Sequence, residues 1–336
     1  MSTPVRVALS VLVAGGLTAL ALWWSGLEPR ELVDALGRLT LATWLPAFGL
    51  HVALYVLRAW RFAILMPSTV RVRPAPFLAV CGAHTLAAFV LPARIGEATF
   101  VVYAQRACGV PAAAGIASLV VSRLLDIAVL AAGFSIACFV IHASGAFPAI
   151  PWFVPLGAGL AALALVVLWL TLRSDLLARL ASGAIRVLGL ARTSVGDRVA
   201  TRIDGIAGAL REAGGEGRLL RAALVSIPIW FVIFLFCAVL ARALGLPETT
   251  TLAEATFGSS LAILTSLIPV SAFANFGTLE LGWVLGFGTL GVPHDLALAT
   301  GLGLHAVQLV HIVALGLLSH AYLASRTREP LRPVPG

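Results

Sequence analysis

The side chains of this chain that could do chemistry lie inside long apolar stretches. Arg123 and Asp126 sit in Ser122-Arg123-Leu124-Leu125-Asp126, within an apolar run over 113–142. Arg94 and Glu97 interrupt a second stretch at Leu91-Pro92-Ala93-Arg94-Ile95-Gly96-Glu97, and Arg58, Arg61, Glu280 and His305 occupy comparable settings. Charge inside a bilayer is expensive, so each of these groups needs a partner or a ligand. Arg123 and Asp126 share a helical face at i, i+3 and can pair. Arg123 lies ten residues into its run, roughly 15 Å deep at a rise of 1.5 Å per residue. The pair reads either as an internal bridge that fixes helix packing or as part of a substrate cavity. Arg94 beside the start of a half-helix near Gly96 makes an anion site. Glu97 there is its counter-ion, a helix-start acid, or a proton carrier if burial favours its neutral form. Glu280 takes the matching place in a second interrupted stretch, with Gly277 where the arginine would stand, which suits a cation or a proton. Arg58 and Arg61 share a face near the inner end of a span. Snorkelling to the headgroups is the favoured reading for both, and binding substrate the other.

Catalytic motifs are lacking. There is no G-x-S-x-G, P-loop or dinucleotide fingerprint, and Gly258-Ser259-Ser260 has no partnered base beside it. His84, His305 and His311 lie in apolar stretches and read as hydrogen-bonded filler. His305 and His311 are six residues apart and share no helical face, and no H-E-x-x-H occurs, so no metal site is expected. The four cysteines, Cys81, Cys108, Cys138 and Cys237, form no C-x-x-C and read as small buried hydrophobes. The expectation is a protein without cofactor that binds or moves something and is not an enzyme. The acidic cluster Glu28, Glu31 and Asp34 would suit a lipid-dependent glycosyltransferase, but no large extramembrane domain accompanies it.

The elements that must position these charges are membrane spans. Of 336 residues, 60% belong to AVILMFWYC and 11% are charged, against roughly 25% charged in a soluble domain. Six runs, 5–24, 43–65, 113–142, 150–172, 221–244 and 294–325, approach or exceed the roughly 20 residues that cross a bilayer. Two further stretches, 76–109 and 252–292, are each two short apolar halves joined by Pro, Gly and charge. The net charge is +8 and every basic residue besides histidine is Arg. The arginines flank spans and interleave with acids, which points away from nucleic acid and toward the inner face of a membrane. Residues 58–73 carry four Arg and no acid, 173–221 carry nine Arg and five acids, and 25–42 carry two Arg and three acids. Both termini are therefore placed inside, and each interrupted stretch must return to its starting side. Within 173–220, apolar residues at helical spacing alternate with Arg, as in amphipathic helices on the inner leaflet or packed on the protein.

The two interrupted stretches share a spacing. Glu97 precedes Pro111 of Gly109-Val110-Pro111 by 14 residues, and Glu280 precedes Pro293 of Gly291-Val292-Pro293 by 13. Counting on from those prolines, Arg123 and His305 both lie 12 residues further, and Asp126 and Gln308 both lie 15 further. The two copies enter from opposite sides, the pattern of inverted repeats with broken helices in transporters. The expected architecture is an all-α integral membrane protein built from an inverted repeat of span, span, broken hairpin, span. It has six full transmembrane helices and two re-entrant hairpins or pairs of short spans. The first repeat covers 1–142 and the second 143–325, with a cytoplasmic amphipathic insert at 173–220 and a tail at 326–336.

The segments Leu57-Arg58-Ala59-Trp60-Arg61-Phe62, Leu91 through Glu97, Arg106, Gly109-Val110-Pro111 and Ser122 through Asp126 resemble the flippase-like transmembrane region of lysylphosphatidylglycerol synthases and its stand-alone relatives. In the second half only Ile268-Pro269 and the pair Gly277 and Glu280 match that family's Gly-rich pattern. With Gly336 the last residue, a stand-alone relative without an aminoacyl-transferase domain is expected. The resemblance implies lipid translocation across the cytoplasmic membrane of a bacterium, without lipid synthesis. Anionic phospholipids, lipid-linked glycans or hopanoid-type lipids would be the partners, with a homo-oligomer compatible with this. On that reading Arg94 and Arg123 hold an anionic headgroup, while Glu97, Asp126 and Glu280 supply counter-charge or proton coupling. The alternatives are a secondary transporter of a small polar solute and a non-transporting scaffold for a glycosyltransferase.

The arginine asymmetry makes a topological prediction. Single-cysteine reporters at Ser194 and Ser325 should react with a membrane-impermeant maleimide only from the cytoplasmic side, and one at Ser144 only from outside. Outside labelling at Ser194 would overturn the orientation and, with it, the opposed sense of the two copies.

Overall fold

The structure, a computed structural model, describes residues 37, 39–70, 72–91, 96–145, 151–173, 175–176, 179, 205, 208–212, 215–266 and 277–326. The expected span 5–24, the acidic cluster at 28–34, Arg94 and most of the insert lie outside the described residues, as do both breaks and the tail beyond 326. All regular structure among the described residues is helical.

Five helices among them are long and apolar enough to cross a membrane. These are α1 (Leu41–Ile64), α4 (Ala112–Ser144), α5 (Phe153–Leu172), α6 (Arg218–Ala243) and α9 (His294–Arg326). Each agrees with a predicted apolar run to within three residues at either end. Between them lie four short helices: α2 (Pro74–Val90, 17 residues), α3 (Thr99–Cys108, 10), α7 (Leu252–Ser266, 15) and α8 (Thr278–Thr289, 12). All four are shorter than the roughly 20 residues of a comfortable crossing.

The short helices pair as two hairpins. In the first, Gly96 lies against Ala87 and Ala88, and Phe100 packs on His84 and Phe77, so α3 runs back along α2. In the second, Gly282 lies against Leu261 and Ala262, and Gly286 against Gly258, so α8 runs back along α7. Glycine permits this because a Cβ at Gly286 would stand 2.7 Å from the Gly258 Cα and carbonyl oxygen. Each hairpin has its own apolar cluster. Phe62 stacks on Phe100 at 4.3 Å in the first, and Phe134, Phe153 and Phe257 gather with Trp283 and Phe287 in the second.

Local geometry repeats between the halves. Gly109 (φ 68°) and Gly291 (φ 82°) are left-handed and end the second arm of each hairpin. A proline follows two residues later and opens the next span, a position where a missing N–H costs nothing. After α1 the Val70 N–H donates to the Pro67 carbonyl at 2.9 Å, and after α6 the Thr250 N–H donates to Pro247 at 2.9 Å. The halves pack crosswise: α2 lies on α9, α7 lies on α4, and α1 lies on α6. The end of the insert rests on the protein, with Leu210 buried beside Val121, Leu125 and Leu219. Leu163, Leu165, Val166 and Trp169 of α5 are 45–67% exposed, an apolar surface that suits lipid and not water.

The close glycine contact in the second hairpin sets a packing test. Gly286→Ala should lower stability by about 1–3 kcal/mol through overpacking, read as a fall in Tm in detergent. Gly159→Ala on α5, where a Cβ meets nothing within 4 Å, should leave Tm unchanged or raise it. Equal shifts in the two variants would contradict the described α7–α8 contact.

Candidate functional site

Four charges from three elements form one connected chain. α1 supplies Arg61, α4 supplies Asp126 and Arg123, and the turn before α3 supplies Glu97. Arg61 is bidentate to Asp126, with Nη1 donating to Oδ1 at 2.7 Å and Nη2 to Oδ2 at 3.2 Å. Its Nη1 also donates to Ser226 Oγ on α6 at 3.1 Å, and Trp230 Nε1, one turn further along α6, donates to Asp126 Oδ1 at 3.1 Å. Arg123 Nη1 donates to Asp126 Oδ2 at 3.1 Å. The other edge of Arg123 embraces Glu97, with Nη2 at 2.6 Å from both carboxylate oxygens and Nε at 3.1 Å from Oε2. The chain runs from dry to wet: the side chains of Arg61 and Asp126 are 2% and 13% exposed, those of Glu97 and Arg123 26% and 43%.

These contacts correct one sequence expectation. Arg61 does not snorkel. Packing of α1 on α6 turns it inward, where Asp126 offers a counter-ion 65 residues away in sequence. Glu97 has Arg123 as its partner among the described residues, and its expected neighbour Arg94 lies outside them. The Arg123–Asp126 pair forms as its i, i+3 spacing suggests, but Asp126 gives its bidentate face to Arg61. Arg58 lines the cavity described next and has no hydrogen bond or ion pair among the described residues.

The second hairpin carries a related junction. His305 Nδ1 on α9 lies 2.5 Å from Glu280 Oε1, with both side chains buried. The other oxygen, Oε2, accepts the Gly277 N–H at 2.8 Å and caps α8. His305 is thus more than filler. His84 Nδ1 lies 3.4 Å from Thr99 Oγ1 across the first hairpin. His311 overturns the expectation for it: neither ring nitrogen has a hydrogen-bond partner among the described residues, and Trp44, Phe48, His51 and Phe236 surround the ring at 5.0–6.1 Å between centroids.

A cavity of about 270 Å³ lies between the two hairpins, enclosed by α1, α2, α4, α6, α7, α8 and α9. Arg58, Arg61, Arg123 and His84 form one end. Leu50, Leu54, Phe89, Ile263, Leu279 and Trp283 supply apolar wall. Such a surface can hold an anion at one end and hydrocarbon along the rest. Among the described residues no three His, Cys, Asp or Glu side chains gather as metal ligands. Sequence reasoning missed Trp230, Ser226 and His51. A polar residue facing inward among apolar neighbours carries no signal until its partner is known.

A family model described as the lysylphosphatidylglycerol synthase TM region matches residues 7–316, which takes in every residue of the charged chain and of the cavity. No curated protein and no solved structure matches the chain.

The charged chain predicts which double substitution is tolerated. Arg61→Leu or Asp126→Leu alone strands a buried charge and should cost about 3–5 kcal/mol, whereas removing both partners can be nearly neutral. Arg61→Leu with Asp126→Leu should therefore recover most of the lost Tm, because Arg123 keeps Glu97. Arg123→Leu with Asp126→Leu should not, because it strands Arg61 and Glu97. Equal recovery in the two double variants would break the described order of pairing.

Proposed function

The chain belongs to the lysylphosphatidylglycerol synthase TM-region family, and from that premise we propose that it is a carrier that moves an amphipathic lipid with an anionic headgroup across the bilayer. The observation that carries this reading is the cavity, with arginines at one end and apolar wall beyond them. A multi-pass helical membrane protein of this family fits a lipid-related or transporter-like role. At about 270 Å³ the cavity sits at the small end for ligand pockets. It takes the headgroup, and the acyl chains stay in the surrounding lipid.

In this reading Arg58 and Arg123 face the headgroup. Among the described residues Arg58 makes no hydrogen bond or close ion pair for a headgroup to displace, though Asp126 attracts it from further off, and Arg123 presents the wetter end of the chain. Arg61 and Asp126 act behind them as a fixed support, with Glu97 orienting Arg123. Arg94 belongs to the same hairpin break and joins them in the proposal. Lipid movement would come from rocking of two span–hairpin–span units, related as an inverted repeat, about the cavity between them. The matched glycine caps and proline turns, and the crosswise packing of α2 on α9 and α7 on α4, support that relation. The proposed setting is a bacterial inner membrane, with both termini on the cytoplasmic side.

The test exploits the isolation of Arg58. A desolvated cation without a hydrogen-bonded partner costs stability, so its removal should cost the fold little. Arg58→Gln should leave Tm unchanged or higher. It should slow translocation of a fluorescent phosphatidylglycerol in proteoliposomes at least tenfold, the loss of a charge-assisted hydrogen bond of about 1.5–3 kcal/mol. Full translocation by the variant would refute the headgroup site. Vesicle uptake of a water-soluble glycerol phosphate in place of lipid movement would move the reading to a small anionic solute.

A further inference from the structure

The two hairpin–span junctions follow one plan with different cations. In the first, Glu97 before α3 bonds Arg123 on α4, 26 residues later; in the second, Glu280 in the first turn of α8 bonds His305 on α9, 25 residues later. Arginine stays charged at every physiological pH, so the first junction is a permanent ion pair. Histidine changes charge between pH 5 and 8, so the second can gain or lose a proton while keeping its bond.

Resting on the carrier reading above, we propose that the Glu280–His305 junction is a proton-binding site coupled to headgroup binding. One proton lies between Nδ1 and Oε1 at 2.5 Å in either state. With that proton alone the junction carries one net negative charge, and with a second, taken from solvent, it is neutral. His305 and Glu280 are 0% and 4% exposed, and an unbalanced charge there is costly. The junction also adjoins the cavity. Leu279, Trp283, Leu304 and Gln308, its neighbours in sequence or one helical turn away, line it, and the Phe89 ring, also lining, meets His305 edge-on at 5.6 Å. A headgroup anion entering that space is opposed by a negative junction and admitted by a neutral one. Proton and anion therefore bind together, and by linkage each raises the affinity for the other.

Few other groups can compete for this role. The elements packed on the junction bring Cys81 and His84 on α2 and Cys237 on α6, and α9 itself brings His311 and His320. Outside the terminal turns of α2, α6, α7, α8 and α9 these helices add only Tyr322, near the end of α9; Glu280 is the acid that caps α8 from within, and His51 on α1 also lines the cavity. Across the cavity stand Arg58, Arg61 and Arg123, which do not titrate in this range.

The experiment is a calorimetric titration of the full chain in detergent with dihexanoyl phosphatidylglycerol at pH 6 and pH 8. Affinity of the unsubstituted protein should fall about tenfold from pH 6 to pH 8, within the usual range of coupling between sites. Heats measured in buffers of different ionisation enthalpy should show protons taken up at pH 8. Glu280→Gln keeps an acceptor for the Gly277 N–H but cannot become negative, and His305→Arg rebuilds the permanent pair of the first junction. Both should show affinity that no longer changes between pH 6 and pH 8, and no proton uptake. If either folded variant keeps the full pH dependence, or the unsubstituted protein binds equally at both pH values without proton uptake, the proton site is wrong and the carrier reading stands. If the unsubstituted protein does not bind the probe at either pH, the carrier reading falls and takes the proton site with it.

Discussion

A guanidinium and a carboxylate removed from water must repay a desolvation cost of several kcal/mol per ion, and only close geometry with further hydrogen bonds does so. Asp126 meets that demand. It receives two bonds from Arg61, one from Arg123 and one from Trp230, while Arg61 gains a third bond at Ser226. Those residues come from α1, α4 and α6, and Arg123 carries the connection to the first hairpin through Glu97. The three spans that wall the first half of the cavity are thereby fixed in rotation as well as in position. An apolar seam in a lipid environment does not do this, because hydrocarbon side chains gain little by leaving hydrocarbon solvent.

The second hairpin is held by shape more than by charge. Gly258, Gly282 and Gly286 bring the α7 and α8 backbones together, and Phe287 covers Gly258. The titratable tie to the following span among the described residues is Glu280 with His305, and Trp283 Nε1 adds a neutral bond to Thr300 Oγ1 at 3.1 Å. The first half thus has a rigid, permanently ionised frame, and the second has close helix contact with a single titratable link. This difference would not be expected of two copies kept alike for structural reasons alone. It falls where the repeat spacing places Arg123 opposite His305 and Asp126 opposite Gln308.

The spans were legible because hydropathy over about 20 residues is a direct consequence of bilayer thickness, and the five described ones lie close to where the apolar runs place them. The matched spacing of Glu97 and Arg123 with Glu280 and His305 was legible in the sequence, and each pair meets in the structure. The partner of Arg61 was not. Its counter-ion lies 65 residues away on another helix, and an arginine near a span end looks the same in sequence whether it snorkels or turns inward. His311 was misread for a similar reason, because a cage of four rings contributed by α1 and α6 leaves no mark on α9 itself.

The crosswise packing has a consequence for biosynthesis. Gly82 of α2 rests against Ser319 of α9, and Gly316 of α9 against Leu86, so the first hairpin completes its contacts with residues made more than 200 positions later. A ribosome delivering this chain into a membrane releases α2 and α3 long before their covering helix exists. The hairpin must wait with that face open to lipid or to an insertion factor until α9 arrives. The slow step in assembly is then the closing of the two halves on each other, set by the long sequence separation of its contacts. Truncation before α9 exposes the first half of the protein, though every residue of that half is present.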